Sequence, residues 1–145
     1  MAKWGMTSTT ELRDRREAVV REHMQAENEH RWDDVMATFR PGRARYELVA
    51  SGEVFEGESA VRDYWQRGRE LIPDQTNELI ALHHGDDTVI VEFWLRGTNT
   101  GGPNPTNRAF SARLIAVFEF DDDRIVNERA YWDRRTIEEQ LGLHS

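Results

Sequence analysis

The sequence predicts an α+β fold, with helices in the first half of the chain and long antiparallel strands in the second half. Apolar residues recur at roughly helical spacing along residues 10–31. Along residues 109–120 they recur at every second position, which is typical of a strand with two unlike faces. The acidic run 121–123 favours a tight turn, so residues 124–132 are predicted to return as the partner strand.

Three helices are predicted before the long strands. They span residues 10–31, 32–39 and 58–71. Either Thr9 or Thr10 is placed to cap the first helix, and Ser59 is placed to cap the third. The segments that begin at Pro41 and Pro73 end the second and third helices, because proline disfavours helical backbone at and before its own position.

The other strands are predicted as two antiparallel pairs, at residues 43–50 with 53–56 and at residues 75–84 with 88–98. Residues 99–107 are dense in glycine, proline and asparagine, which predicts a loop between two long strands. A short final helix is predicted after Asp133, whose carboxylate can accept hydrogen bonds from the free amides of a first helical turn.

The composition argues against several classes of protein. The 145 residues include no cysteine, so the chain offers no disulfide, thiolate metal site or thiol nucleophile. A formal net charge of −8 argues against a nucleic-acid partner, which needs a basic surface. No apolar run approaches the roughly 20 residues of a membrane helix and no secretory signal is visible, so a cytoplasmic protein with no membrane partner is expected. Residues 1–9 are expected to be flexible, and residues 10–145 to form one domain.

The string AVFEFDDDRIVNERAYWDRRTIEEQLGL, residues 116–143, resembles the C-terminal half of SnoaL-like proteins in the NTF2-like superfamily. The resemblance lies in a final hairpin, an aromatic-aromatic-Asp step and a short helix ending in Leu-Gly. The upstream strings RYELVASGEVFEG, VIVEFWLRGTNTG and PNPTNRAF lie where that family has them. The resemblance implies a cystatin-like cone, in which a curved, mostly antiparallel sheet wraps around the long N-terminal helix and leaves a pocket between them.

The resemblance does not carry a known catalytic set, because this superfamily hosts many chemistries on one fold. SnoaL-type cyclases use a histidine and an aspartate at positions that fall on Ala116 and Ala130 in this sequence. The related limonene epoxide hydrolases use the second of these positions, with an arginine and an aspartate that fall near Phe93 and Leu95. Neither activity can therefore be transferred residue by residue.

Strand alternation predicts which side chains form the pocket wall. If Ala130 faces inward, Glu128 and Trp132 face the same way, and apolar residues of the neighbouring strands join them. Five tryptophans in a small chain also favour a pocket for an apolar ligand. The residues predicted to bind substrate are Met24, Glu27, Trp65, Phe93, Leu95, Leu114, Ala116, Ala130 and Trp132.

Glu128 is the one carboxylate in the predicted strand wall, so burial should raise its pKa toward neutrality and suit it to general acid or base chemistry. The alternative is an ion pair between Glu128 and Arg113, Arg124 or Arg129. Tyr46 is predicted to donate a hydrogen bond to a substrate carbonyl, and the alternative is a tyrosine of the core or the rim.

His23 and Glu27 are four residues apart, so they share one face of the first helix and could form the opposite wall of the pocket. His23 could then move a proton or donate to a developing oxyanion, and the alternative is an exposed helix pair. No second spaced ligand pair accompanies them, so no metal is predicted. The sequence has no glycine-rich phosphate loop, so no cofactor is predicted. His83 and His84 point opposite ways on a strand, so only one of them could be interior.

Glu92, Trp94 and Arg96 are predicted on the outer sheet face, where the resemblance implies that two copies of the chain form a homodimer. Two functions stay open. The first is an enzyme of proton-transfer type, an isomerase, cyclase or dehydratase, acting on a carbonyl-bearing polyketide-, terpenoid- or steroid-like molecule through Glu128, Tyr46 and His23. The second is a non-catalytic module that binds a small hydrophobic molecule or serves as a dimeric accessory protein.

Overall fold

The structure is a computed structural model that describes residues 9–143, so most of the segment expected to be flexible lies outside the described residues. The helices are α1 (Thr9–Asn28), α2 (Trp32–Ala37), α3 (Glu58–Leu71) and α4 (Arg134–Leu141). The strands are β1 (Arg45–Leu48), β2 (Glu53–Glu56), β3 (Thr76–His84), β4 (Thr88–Thr98), β5 (Ala109–Asp121) and β6 (Arg124–Tyr131). This order confirms the α+β fold, with a long first helix and a short last helix.

Six strands form one sheet in the order β2-β1-β6-β5-β4-β3. Every neighbouring pair is antiparallel except β1 and β6, which run parallel and bring the first strand of the chain against its last strand. Register shifts occur between Leu79 and Ala81 and between Glu119 and Phe120. Such irregularities bend and twist a strand, which favours the curvature that wraps the sheet around α1.

The predicted alternation of β5 is confirmed, because Phe110, Ala112, Leu114, Ala116 and Phe118 are all buried on the concave face. The same period in β4 buries every second residue from Val89 to Gly97. The face that carries these side chains packs against α1, which contributes buried Val20, Met24 and Ala26 to the same core.

Arg16 of α1 connects that helix to two hairpin turns. Its Nε donates to the Asp122 carbonyl at 2.7 Å, and its Nη1 donates to the Asp86 carbonyl at 3.0 Å. The guanidinium also lies over the Phe120 ring, 5.4 Å from its centroid. Although it is an arginine, it is almost fully buried, and these contacts satisfy the charge.

The predicted caps of the first and third helices are wrong. Thr9 and Thr10 already lie inside α1. Ser59 is the second residue of α3, which begins after Gly57 at φ 91° with no capping side chain. Glycine adopts this positive φ without the steric strain that a Cβ would cause. The start of α3 therefore depends on the backbone conformation of Gly57 and not on a hydrogen bond from a serine hydroxyl.

The loop after β4 packs closely on the end of α3. Asn99 Nδ2 and the Gly101 amide both donate to the Leu71 carbonyl, each at 3.1 Å. A Cβ at Gly101 would lie 1.8 Å from the Glu70 carbonyl oxygen, so only glycine allows this approach. The loop thereby satisfies a carbonyl that the helix end leaves without an internal partner.

Asp133 caps α4 as predicted, since its carboxylate accepts from the Thr136 amide at 3.1 Å. Hydrogen bonds from Thr136, first from its side chain and then from its backbone amide, hold the pKa of Asp133 below its ordinary value. Across residues 9–143, none of the helices combines the length and the apolar character that crossing a membrane would take.

Candidate functional site

A cavity of about 390 Å³ lies between α1, α3 and the concave face of the sheet. Its wall is mostly apolar and aromatic. The apolar part consists of Met24, Phe55, Tyr64, Trp65, Leu71, Ile72, Val91, Phe93, Leu95, Phe118 and Trp132. The polar part consists of Glu27, Tyr46, Glu53, Arg67, Arg69, Gln75, Asn77 and Glu128. A concave apolar cavity with a few convergent polar groups is the usual form of a small-molecule site.

Most residues predicted to meet a ligand lie on this wall. They are Met24, Glu27, Trp65, Phe93, Leu95 and Trp132, together with the proposed catalytic residues Tyr46 and Glu128. Tyr46 and Glu128 are direct partners in the parallel register of β1 and β6, which places both side chains on the concave face. The two side chains therefore enter the cavity at the same level of the sheet.

Three predicted wall residues are placed elsewhere. Leu114, Ala116 and Ala130 face the concave side but are sealed in the core, with 2%, 1% and 1% of their surface exposed. Ala116 and Ala130 lie directly opposite each other on β5 and β6. Ala130 also borders a separate shallow pocket beside Leu48. Alternation identified their face of the sheet correctly but not the level at which the cavity lies.

His23 lies behind the cavity wall and not on it. Its side chain is fully buried, and its ring meets those of Phe39, Trp65 and Phe118 edge-on at 5.8, 5.4 and 5.1 Å between centroids. The alternative of an exposed pair with Glu27 is therefore wrong. Burial lowers the pKa of His23, because the enclosed site disfavours the charged ring.

The hydrogen bonds around His23 define its tautomer. The Thr38 hydroxyl donates to the Val35 carbonyl at 2.6 Å. The same oxygen lies 2.8 Å from His23 Nδ1, so it accepts a hydrogen bond from the Nδ1–H. A neutral ring then presents the lone pair of Nε2 toward the cavity side.

Two carboxyl groups face that lone pair. Glu128 Oε1 lies 3.3 Å from His23 Nε2, and Glu27 Oε2 lies 3.8 Å from it. His23 Nε2 and Glu128 Oε1 are both buried and lack a partner when the carboxyl is ionised. A protonated Glu128 satisfies both atoms, because its O–H donates to Nε2.

The electrostatics of the site agree with a protonated carboxyl. Burial raises the pKa of Glu128 to about 8, and the positive charge of Arg69 acts in the opposite direction. Burial raises the pKa of Glu27 to about 7, with His23 opposing and Glu128 adding to the rise. Burial also holds the pKa of Tyr46 well above its ordinary value, with Glu128 as the next contribution, so Tyr46 stays a neutral donor.

The alternative ion pair of Glu128 with a strand arginine is not found. Arg113 pairs with Glu92, Arg124 with Asp123 and Arg129 with Glu119. All three pairs lie away from the cavity wall, on which none of these residues appears. Glu128 is therefore an interior acid, as the strand pattern predicted.

Sequence reasoning missed five polar wall residues, which are Glu53, Arg67, Arg69, Gln75 and Asn77. Arg69 is the one among them with a buried, unpartnered nitrogen. It lies on α3 one turn after Trp65, and its guanidinium stands 5.2 Å from the centroid of the Trp32 ring. Its Nε is buried and has no hydrogen-bond partner within the described part of the chain. The spacing from Trp65 was the available signal, because residues four apart share a helix face.

The two adjacent histidines of β3 point opposite ways, and neither lines the cavity. His84 packs toward Glu17 of α1 with 3.4 Å between Nε2 and Oε1, whereas His83 is exposed near Glu92. Among the residues from 9 to 143, no group of three or more histidine, aspartate or glutamate side chains is arranged to hold a metal ion.

Comparison with solved structures supports the fold. A phenazine biosynthesis-related protein from Pseudomonas aeruginosa has a TM-score of 0.80 and 17% identity, over 95% of this chain and 87% of that chain. A polyketide cyclase candidate from Xanthomonas campestris has a TM-score of 0.77 and 20% identity, over 90% and 98% of the two chains. An isomerase candidate from Bacillus subtilis has a TM-score of 0.74 and 23% identity, over 92% and 96%. Identities this low establish the fold alone.

No curated protein matches the chain. The SnoaL-like domain family matches residues 20–128, which include the second half of α1, all of α3, strands β1 to β5 and β6 as far as Glu128. The resemblance seen in the final hairpin is thereby confirmed over most of the chain. This protein belongs to the SnoaL-like domain family, on an NTF2-like fold.

Proposed function

We propose that this protein is an enzyme of proton-transfer type, an isomerase, cyclase or dehydratase, that acts on a small, mostly apolar molecule bearing a carbonyl group. One observation carries the proposal. Glu27 and Glu128 meet the same buried histidine nitrogen at the wall of an otherwise apolar cavity. Acids whose environments separate their pKa values near neutrality are suited to opposite roles in one reaction.

In the proposed mechanism one carboxyl group acts as a general base and the other as a general acid. Burial raises the pKa of both groups, to about 7 for Glu27 and about 8 for Glu128, so near neutrality the pair can hold one proton. The shorter contact of Glu128 with His23 Nε2 favours the proton on Glu128. The ionised Glu27 removes a proton from the carbon next to the substrate carbonyl. The protonated Glu128 returns a proton to the substrate, at the same carbon in exchange or at a second carbon in isomerisation. Proton exchange with solvent then restores the ionised Glu27 and the protonated Glu128.

Tyr46 supplies the third part of the proposed mechanism. Removal of a proton next to a carbonyl sends negative charge to the carbonyl oxygen, and a fixed donor at that oxygen lowers the barrier. Tyr46 lies beside Glu128 in the strand register and lines the same cavity. Its raised pKa keeps the hydroxyl protonated, so it donates without transferring its proton.

His23 acts through the two carboxyl groups in this proposal, because it does not line the cavity. Its Nε2 accepts a hydrogen bond from the protonated Glu128 carboxyl, while its Nδ1–H donates to the Thr38 hydroxyl. This contact orients the Glu128 carboxyl and stabilises its protonated form. His23 is therefore a positioning residue.

The test is exchange of carbon-bound hydrogen in D₂O, followed by NMR with 2-tetralone as the first of a panel of cyclic ketones. Wild type is expected to speed exchange at the carbon next to the carbonyl. Glu128→Gln and Glu27→Gln are each expected to slow it about 100-fold or more. Glu47→Gln is the matched control, because Glu47 neighbours Tyr46 on β1 but points to the other face and pairs with Arg45.

The opposite result would favour the non-catalytic module. If wild type binds ketones of the panel, as seen by quenching of tryptophan fluorescence, but accelerates no exchange, the enzyme proposal fails. The cavity would then hold its ligand through apolar burial, at about 25 cal/mol per Å² removed from water. The alanines at positions 116 and 130, where cyclases carry their acid/base pair, would fit that outcome.

A further inference from the structure

The cavity contains an arginine whose charge is not matched by the protein. Arg69 lines the wall, and no carboxylate among residues 9–143 forms an ion pair with it within 4.0 Å. The neighbouring arginines of α3 differ in this respect. Arg62 pairs with Asp33 at 2.6 Å, and Arg67 pairs with Asp63 at 3.0 Å.

Burial makes this unmatched charge significant. Burial lowers the pKa of Arg69, with Glu27, Tyr46 and Glu128 acting in the other direction. The same burial favours the neutral forms of these three neighbours. Arg69 is partly buried, and a cation withdrawn from water without a counter-charge is costly, so the cavity favours a ligand with an anionic group.

We propose that the natural ligand is a ring compound bearing a carboxylate, and that Arg69 binds this carboxylate. The unpartnered Nε of Arg69 belongs to a planar fork that matches the two oxygens of a carboxylate. A single unmatched cation in a mostly apolar wall suits a monoanion on an apolar body better than a phosphate dianion. The Trp32 ring beneath the guanidinium keeps the fork in place.

This inference deepens the proposed function, since it concerns the same cavity, but it rests only on that cavity being a ligand site. A carboxylate at Arg69 would anchor one end of the ligand on α3. The carbonyl-bearing part would then extend toward Tyr46 and Glu128 on the sheet side of the cavity. The substrate class becomes a carboxylated cyclic ketone.

The test compares two ligands of equal shape, 2-naphthoate and 2-naphthamide, by calorimetric titration at about pH 6, where Glu27 and Glu128 are mostly protonated. Wild type is expected to bind the carboxylate about tenfold or more tightly than the amide. Arg69→Met is expected to lose this preference while its affinity for the amide stays within about twofold. Arg62→Met, two helical turns earlier on α3, is expected to keep the preference.

Two results would overturn the inference. One is equal binding of both ligands by wild type, and the other is a preference that survives in Arg69→Met. If Arg69→Met does not fold, Arg69→Lys keeps the charge without the fork and is expected to retain only part of the preference. Glu128→Gln separates the two proposals. It is expected to lose the acceleration of deuterium exchange and to keep the preference for naphthoate. If wild type prefers naphthoate but accelerates no exchange, only the proposed function is defeated.

Discussion

His23 Nε2 and Glu128 Oε1 face each other at 3.3 Å, and neither atom has another hydrogen-bond partner in the described part of the chain. Because Nδ1 of the same ring is held by Thr38, the contact needs the proton of Glu128. The pair therefore links the stability of the fold to the protonation of one side chain, in a way that can be measured without knowing the ligand.

We predict that Glu128→Gln changes how stability depends on pH. Burial raises the pKa of Glu128 from 4.5 in the unfolded chain to about 8, so the folded state holds a proton that unfolding releases between these values. The free energy of unfolding of wild type should fall by about 1.4 kcal/mol per pH unit from this group over that range. Glutamine lacks the titration, and its amide can donate to His23 Nε2.

Urea unfolding at several pH values measures this difference. Near pH 4.5 the two proteins are expected to be similarly stable, and near pH 8 the variant should be more stable by about 2 kcal/mol or more. Glu47→Gln should follow wild type throughout. A constant offset between Glu128→Gln and wild type across the range would mean that the pKa of Glu128 is close to its ordinary value.

The two carboxyl groups also predict a bell-shaped dependence of kcat/KM on pH for the proposed exchange reaction. The acid limb reports ionisation of the pair near 7, and the alkaline limb reports loss of the remaining proton near 8. The rate should be greatest between these values. A rate that rises steadily from about pH 6 to about pH 9 would instead indicate a single base with no acid partner.

Gly101→Ala is predicted to loosen the loop on α3. The new methyl group would meet the Glu70 carbonyl oxygen at 1.8 Å, which forces the backbone apart and weakens both hydrogen bonds to the Leu71 carbonyl. The expected loss is about 1–3 kcal/mol of unfolding free energy, measured by chemical denaturation.

Gly68→Ala is the matched control for that variant. Gly68 lies inside α3, and a Cβ there would meet nothing within 4 Å. Alanine is favoured over glycine in a helix by roughly 0.5–1 kcal/mol, so this variant should be slightly more stable than wild type. Equal effects of the two substitutions would show that the close approach at Gly101 contributes nothing.

The outer sheet face is proposed to bind a second copy of the chain. Ile115 and Tyr131 are register partners on β5 and β6, with 40% and 46% of their surface exposed. On the neighbouring β4, Trp94 lies under the Arg96 guanidinium at 5.0 Å. Exposed aromatic and apolar residues beside arginine are typical of protein interfaces.

Light scattering after size-exclusion chromatography tests this proposal. Wild type is expected to be a dimer, and Ile115→Arg is expected to be a monomer because it buries an unpaired charge at the centre of the interface. Ala37→Arg, at an exposed position on α2, should remain a dimer. A wild-type monomer would remove the outer face as a self-association surface.

Much of the fold was predictable because its elements have strong local signals. The alternation in residues 109–120 reflects a sheet with one buried face, and α3 was predicted with the observed bounds Glu58–Leu71. The Asp133 cap could be found because a cap needs only its own first turn. The Ser59 cap was wrong, since α3 begins after a glycine at positive φ and no side chain caps it.

The candidate site was only partly predictable. Glu128 follows from its strand face, but the depth of the cavity along that face depends on how α1 and α3 pack, and so Ala116 and Ala130 were misplaced. Arg69 looks like any surface arginine of an amphipathic helix. Its spacing from Trp65 indicates the helix face, but the contact with the Trp32 ring on another helix has no local signal.

The parallel pairing of β1 with β6 has a consequence for biosynthesis. Tyr46 and Glu128 are neighbours in the sheet but more than half the chain length apart in sequence. During translation β1 cannot pair with β6 until β6 has been synthesised, so the cavity wall that they share stays exposed to solvent until synthesis is nearly complete. Ribosome-bound chains that stop before β6 should therefore expose their aromatic residues to chaperones.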